Sequence, residues 1–462
     1  MNILFFLVVQ FNFTLNGEYL LERDSLSEYS SMFGNFQHSF NKNFLVSSDF
    51  IFQMNSDFRG RIAHLRPQIT FQGGPLVVKF ADFQEDFQKS MILAVEHDIA
   101  FKRLRYIRGL SASMDFKKAK ISAFSGQPFN YDYESFSFRV SNDTMDLLRG
   151  VNLQYSSRML GFEASYVRLN RQNMPEPFAF QEIYGCSWGF DNGSWKIDLN
   201  LARKWGVDPI TFKRLKGIGL YTFSNTIVSG VSLSLSGVYY DSINFWNYNM
   251  PPVITEKELL PGAGNSDKGL SLGAGFRAGG AYIEGSVGTV VDVDERNVIF
   301  PDKGKAFQES YLKSDFTLGR SNYFNLKVAR EYFLRVEPEY EKLFSYYLEA
   351  HGKSVLKMPI EYSLRFSWNR EDSVDYSISG FGVGVEPVEG LNLGFQVERS
   401  SKKISRFDFE NFWSIFEIIY RTEFGSLSLV IGNQRGGLIC SGGMCRIVPS
   451  FDGVKLGLDF GF

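Results

Sequence analysis

The feature that most constrains this chain is an alternation of period two that returns, segment after segment, over most of its length. The last residues, 454–462, read VKLGLDFGF. Val454, Leu456, Leu458, Phe460 and Phe462 share one parity; Lys455, Gly457, Asp459 and Gly461 share the other. The same holds for LNLGFQVE (391–398), IEYSLRFSWN (360–369) and WKIDLNLA (195–202). Successive side chains of a β-strand point to opposite faces, so each segment is a strand with one apolar face.

Short turn signals join these strands in pairs. DNGS (191–194) is the strongest, because Asn-Gly supplies the positive φ angles of a tight hairpin turn. RAGG (277–280), GRSN (319–322), HGKS (351–354) and EPVEG (386–390) read as turns too, and the hairpin over 107–126 turns near Phe116–Lys118. The connections between hairpins are longer, at 241–269, 292–306 and 433–453. Short turns on one side and long loops on the other are the pattern of a transmembrane β-barrel. Closure also removes the sheet edges that a long open sheet would leave for aggregation. The fold class is therefore all-β: a single antiparallel barrel over 44–462, with about 22–24 strands. Residues 69–93 contain strand material whose turns the pattern does not fix. Residues 18–43 stay open as a plug, a periplasmic segment or a first strand.

Composition agrees with walls that meet lipid on one face and water on the other. Aromatic residues make up 16% of the chain, with 46 Phe and 22 Tyr, and glycine occurs 43 times, yet mean hydropathy is only −0.14. No apolar run of about 18 residues follows the N-terminus, which excludes helical spans. With 49 Lys+Arg against 51 Asp+Glu, the chain lacks the basic excess of a nucleic-acid binder. Ile3–Phe13 fits the apolar core of a secretory leader with cleavage after Gly17, although no Lys or Arg precedes it. Residues 1–17 are then a signal peptide, the alternative being an amphipathic first strand. Cys440 and Cys445 frame CSGGMC, a loop that can close as a disulfide after export or hold two free thiols.

Motifs for chemistry are weak. GCSWG (185–189) matches Gly-x-Ser-x-Gly, but a nucleophile elbow needs a following helix, and here a turn and a strand follow Ser187. His38, His64, His97 and His351 are scattered, so no metal or other cofactor is called for. Asp292, Asp294 and Glu295 form a solvated acidic loop without the glycine and spacing of a calcium loop. The charges on the minority parity say more: Lys196, Asp198, Lys327, Arg365, Glu398, Glu417, Lys455 and Asp459. A charge facing lipid near the midplane costs about 2–4 kcal/mol, so these residues are expected to face the lumen. Trp188, Trp195, Trp205, Trp246, Trp368 and Trp413 fall near strand ends, where interfacial girdles use them.

Two stretches, 65–114 and 433–462, go beyond generic barrel character. Ala81–Asp82–Phe83, Arg108–Gly109 and the run Cys445–Arg446–Ile447–Val448–Pro449 carry the likeness. They resemble a poorly characterised family of outer-membrane barrels from Bacteroidetes-like Gram-negative lineages, with Ala81 in place of a glycine and Ile447 in place of an aromatic. The resemblance implies fold and location and lends no activity. A last strand ending in Phe460 and Phe462 also resembles the signal read by the outer-membrane barrel assembly machinery. The expected function is a passive pore or substrate-selective channel for small solutes, embedded in outer-membrane lipid and not an enzyme. The alternative is a non-conducting barrel that anchors or docks a surface or secretion partner.

Overall fold

A computed structural model describes residues 10–461, apart from 23–24, 42, 55–59, 96, 99–102, 133–139, 142–145, 172–179, 208–213, 246–247, 257–264, 298–300, 302–304, 320–321, 336–340, 356–357, 372–373, 404–410, 424, 435–436, 442–443 and 449–450. Strands dominate, and every pairing between neighbours is antiparallel, from Gln10–Glu22 with Ser25–Asn41 to Gly425–Gln434 with Phe451–Gly461. They form one 26-stranded sheet, of which His97–Asp98 and Val140–Ser141 are two-residue pieces. The other twenty-four succeed one another around a ring. The ring closes at Phe451–Gly461, which pairs with Gly425–Gln434 on one side and with Gln10–Glu22 on the other. Among the described residues no helix is long and apolar enough to cross a membrane.

Of residues 18–43, left open by sequence, 18–22 and 25–41 belong to the barrel wall. They complete Gln10–Glu22 and form Ser25–Asn41, and each strand is hydrogen-bonded to both neighbours. Residues 10–17 stand in the same first strand, opposite Ser30–Gln37 and, over part of their length, opposite Leu458–Gly461.

Most turns fall where the sequence puts them. Gly193 takes a φ of 87°, and the Asn192 side chain accepts from the backbone N–H groups of Ser194 (3.0 Å) and Trp195 (2.7 Å). Lys117, with a φ of 71°, turns the hairpin over 107–126. HGKS is a correction: residues 351–354 lie inside the strand Glu341–Val355. Gly352 is there because the Tyr362 ring lies across it from the next strand, where a Cβ would collide with the ring. Packing, not a turn, requires that glycine.

The alternation holds along the strands. In Trp195–Val207, Trp195 and Trp205 are 49% and 40% exposed, while Asn200 and Lys204 are 1% and 4% exposed. The exposed parity is the barrel's outer surface and the buried parity faces the lumen.

Candidate functional site

The lumen is the one place where this fold can act on a solute, and part of the chain is folded into it. After the strand Leu76–Phe83, the chain makes a small hairpin, Glu85–Phe87 paired with Leu93–Val95, before the wall resumes at Arg103–Asp115. Three successive non-glycine residues at its tip, Gln88, Lys89 and Ser90, have φ of 55°, 50° and 68°. Such conformations are costly for ordinary residues and persist only where the surroundings fix them. Here the Asp86 carboxylate accepts from the Ser90 N–H (2.7 Å) and hydroxyl (3.1 Å).

The hairpin is tied to inward side chains of the wall. The Ser111 hydroxyl donates to Glu85 (2.7 Å), the Gln88 N–H donates to Glu163 (3.0 Å), and the Lys89 ammonium meets Asp198 (2.8 Å). Met91, Ile92, Leu93 and Ala94 have no exposed surface. Met91, Ile92 and Leu93 pack with Leu148, Val167, Ile183 and Val238 of the wall and with Ile243, Phe245 and Tyr248 of the loop after Val231–Asp241. The wall leaves room for them at Gly219, where a Cβ would stand 2.6 Å from the Met91 methyl group.

That loop also turns inward. Lys204 donates to the Asn244 carbonyl (2.6 Å), and the Tyr240 hydroxyl donates to the Pro252 carbonyl (2.8 Å). Asn249 clasps loop and hairpin together: its amide donates to the carbonyls of Met91 (3.0 Å) and Ile243 (3.1 Å), and its oxygen accepts from the Phe245 N–H (2.7 Å). Part of the lumen along this wall is thereby filled by a buried apolar cluster.

The other side keeps a polar lining. Arg365 lies between Glu349 (2.9 Å) and Glu398 (3.6 Å), and Lys313 sits near Glu284 (3.7 Å) and Asp315 (3.6 Å). Lys327 pairs with Glu256 at the end of the inner loop and lies over the rings of Tyr311 and Tyr347. Lys353 pairs with Glu361 (2.9 Å), both about half exposed.

Of the residues singled out by sequence, Asp198 meets the hairpin, Lys327 meets the inner loop, and Arg365 and Glu398 meet each other. Lys196 lies on the same face as Asp198, exposed at the start of its strand. Glu417 stands opposite Gly394, and Lys455 stands opposite Val430 and Leu20. The backbone of Asp459 faces Ser426 and that of Phe460 faces Gly425, but both side chains, and all of Phe462, lie outside the described residues. Cys440 and Cys445 are directly opposite in a hairpin of Gly437–Ser441 with Met444–Val448, their side chains also outside the described residues.

Trp188, Trp195 and Trp205 are on the outer surface, and Trp246 lies outside the described residues. Trp413 is a correction: it is 4% exposed, on the parity of Glu417 that faces inward, so it packs inside instead of forming a girdle. Ser187 lies mid-strand opposite Glu163 and Asn200. Asp292 and Glu295 fold their own loop, accepting from Ser266 (2.6 Å) and the Asn297 N–H (2.9 Å). The inner hairpin is what sequence reasoning missed. Its signal was the failure of 69–93 to resolve into strands, with a polar FQKS tip and no glycine to mark it.

The family of unknown function DUF6029 matches this chain over residues 391–462. The match takes in the last strands and the CSGGMC stretch, while 65–114 lies outside it. No curated protein matches the chain. Among solved structures, the siderophore receptor PirA of Pseudomonas aeruginosa aligns with a TM-score of 0.50 at 9% identity, over 98% of this chain and 80% of that one. The P pilus usher PapC translocation pore gives 0.49 at 7% identity, over 98% and 99%. OccK3 (OpdO) of Pseudomonas aeruginosa gives 0.47 at 10%, over 79% and 96%. The likeness is one of fold: this chain has the architecture of the outer-membrane β-barrels.

Proposed function

We propose that the protein is an outer-membrane pore for small solutes, with its conducting path on the side of the lumen that the hairpin leaves uncovered. The observation that carries this reading is the state of the charges there. Arg365, Glu349, Lys313 and Glu284 face inward yet keep 22–29% of their side-chain surface exposed. Charges held off the lipid and still accessible need water beside them. Among the described residues the inward acids of this wall, Glu284, Glu309, Asp315, Glu331, Glu349, Glu361, Glu371 and Glu398, outnumber the bases Lys313, Lys327, Lys353 and Arg365. The path therefore favours cations, and Glu398 and Arg365 set its selectivity, with Glu417, Lys455 and Asp459 lining the wall beyond them and Lys196 on the wall that carries the hairpin. Assembly through Phe460 and Phe462 belongs to the same reading.

Single-channel recording in a planar bilayer tests it. Stable steps with cation preference, altered when Glu398 or Arg365 is neutralised, support a pore. A second reading, a closed barrel that anchors a partner, draws on the complete burial of Met91, Ile92 and Leu93 of the hairpin and their cover by the loop after Asp241. A silent bilayer with protein of proven folding would favour it.

A further inference from the structure

The outer surface carries an uncompensated group of cations near the long-loop ends of five successive strands, Asp146–Ser156, Leu160–Arg171, Phe180–Asp191, Trp195–Val207 and Arg214–Val228. Arg149 and Arg168 are directly opposite in the register, on the outward parity. Like charges in that relation repel. Arg168 has turned aside, to Glu182 (3.2 Å) and over the Phe180 ring (4.7 Å). Glu182 is the only outward carboxylate among the described side chains of these strands, and it also accepts from the Tyr166 hydroxyl (2.7 Å). Arg149, Arg203 and Lys216 are exposed and bond to no described side chain.

Further round the barrel most outward cations of the described strands are satisfied internally, the exposed Arg399 standing alone. Lys268 donates to the Val293 carbonyl (2.8 Å), Arg370 holds Asp375 with two bonds (2.7 and 3.2 Å), and Arg330 lies over the Phe344 ring (4.8 Å). The contrast shows that this fold can neutralise such positions and has not done so here. Tyr166, Tyr184 and Trp205 are exposed on the same face, the amphipathic rings that favour headgroup level. At about 3.3 Å per residue, Arg149 and Lys216 lie within about 10 Å of their strand ends.

We propose that this patch binds the phosphate groups of anionic lipid headgroups in the leaflet on the long-loop side. The proposal rests on the barrel lying in a bilayer and is independent of whether its lumen conducts. Guanidinium forks suit phosphate oxygens, and an anion between Arg149 and Arg168 turns their repulsion into a shared contact.

The test is native mass spectrometry of the full-length barrel in detergent, titrated with diphosphoryl lipid A or with phosphatidylcholine. The wild type should retain lipid A in preference to phosphatidylcholine. The triple variant Arg149→Gln, Arg203→Gln, Lys216→Gln should lose about tenfold in retained lipid A through loss of its charge-assisted contacts. Arg399→Gln, exposed on a distant strand, should retain it fully. Equal retention of both lipids by the wild type, or wild-type retention by the triple variant, would overturn the proposal. Heat-modifiable gel migration checks folding, and the single Arg149→Gln variant gives the same reading in weaker form if the triple variant fails to fold.

Discussion

On the wall from Asp146–Ser156 to Val231–Asp241, the buried inward positions near the long loops include the apolar Leu148, Val167, Ile183, Ala202 and Val238, with Asp146, Gln181 and Lys204 among them. On the wall from Ala306–Leu318 to Leu391–Ser400 they include Glu309, Glu331, Ser345, Asn369 and Glu398, beside the apolar Phe307, Tyr376 and Ile378. The outward faces of both walls are alike in being largely apolar, so the difference is confined to the lumen. An apolar inner wall in water needs a cover, and the hairpin brings Met91, Ile92 and Leu93 to it. Each such side chain is worth about 1.5–3 kcal/mol when fully buried, enough to offset the left-handed tip. A polar inner wall needs no apolar cover, and the inner loop reaches it through Glu256, whose carboxylate meets Lys327 and whose N–H donates to Glu309 (2.8 Å).

Replacing residues 85–95 by a short glycine-serine linker should break this contrast most severely. Single-channel conductance should rise severalfold, and the exposed apolar wall should lower thermal stability. Unchanged conductance would show that the path does not run beside the hairpin. Asn249→Ala is the milder form. It removes three hydrogen bonds and leaves buried partners unsatisfied, at about 1–3 kcal/mol for each group so stranded. The barrel should stay folded while the inner loop becomes open to protease and the current flickers. A quiet, resistant channel would mean that Asn249 is not the clasp.

The polar wall answers to charge. A unit charge about 6 Å from an ion in water changes its energy by about 0.7 kcal/mol, roughly threefold in an equilibrium ratio. Glu398→Gln should lower the cation-to-anion permeability ratio by about that factor, and Arg365→Gln should raise it. Equal ratios in both variants and the wild type would remove these residues from the path.

The two walls were not equally legible in the sequence. Trp195–Val207 could be read because Lys196 and Asp198 break the apolar parity from inside, and Arg365 and Glu398 mark their strands in the same way. Leu148, Val167 and Leu169 are as apolar as the residues facing lipid, so alternation fades where the hairpin docks. The hairpin itself is held by contacts remote in sequence, Gln88 with Glu163 and Asn249 with Met91, which no local pattern announces. Gly352 misled for a related reason: the ring that requires it belongs to the next strand.

The smallest effect is expected far from either wall, in the loop that joins the last two strands of the ring. Cys440 and Cys445 are cross-strand partners, and such pairs have Cα atoms about 4.5–5.5 Å apart, within the span of about 4.4–6.8 Å that a disulfide bridges. In an oxidising compartment they should be joined, seen as a loss of two hydrogens in the intact mass and as protection from alkylation until reduction. The loop they close is short, so its contribution to chain entropy is modest. Reduction should leave conductance, selectivity and the packed hairpin unchanged. If reduction altered the current, this loop would have to reach the path, and the division of the lumen into a packed and a polar wall would need a third element.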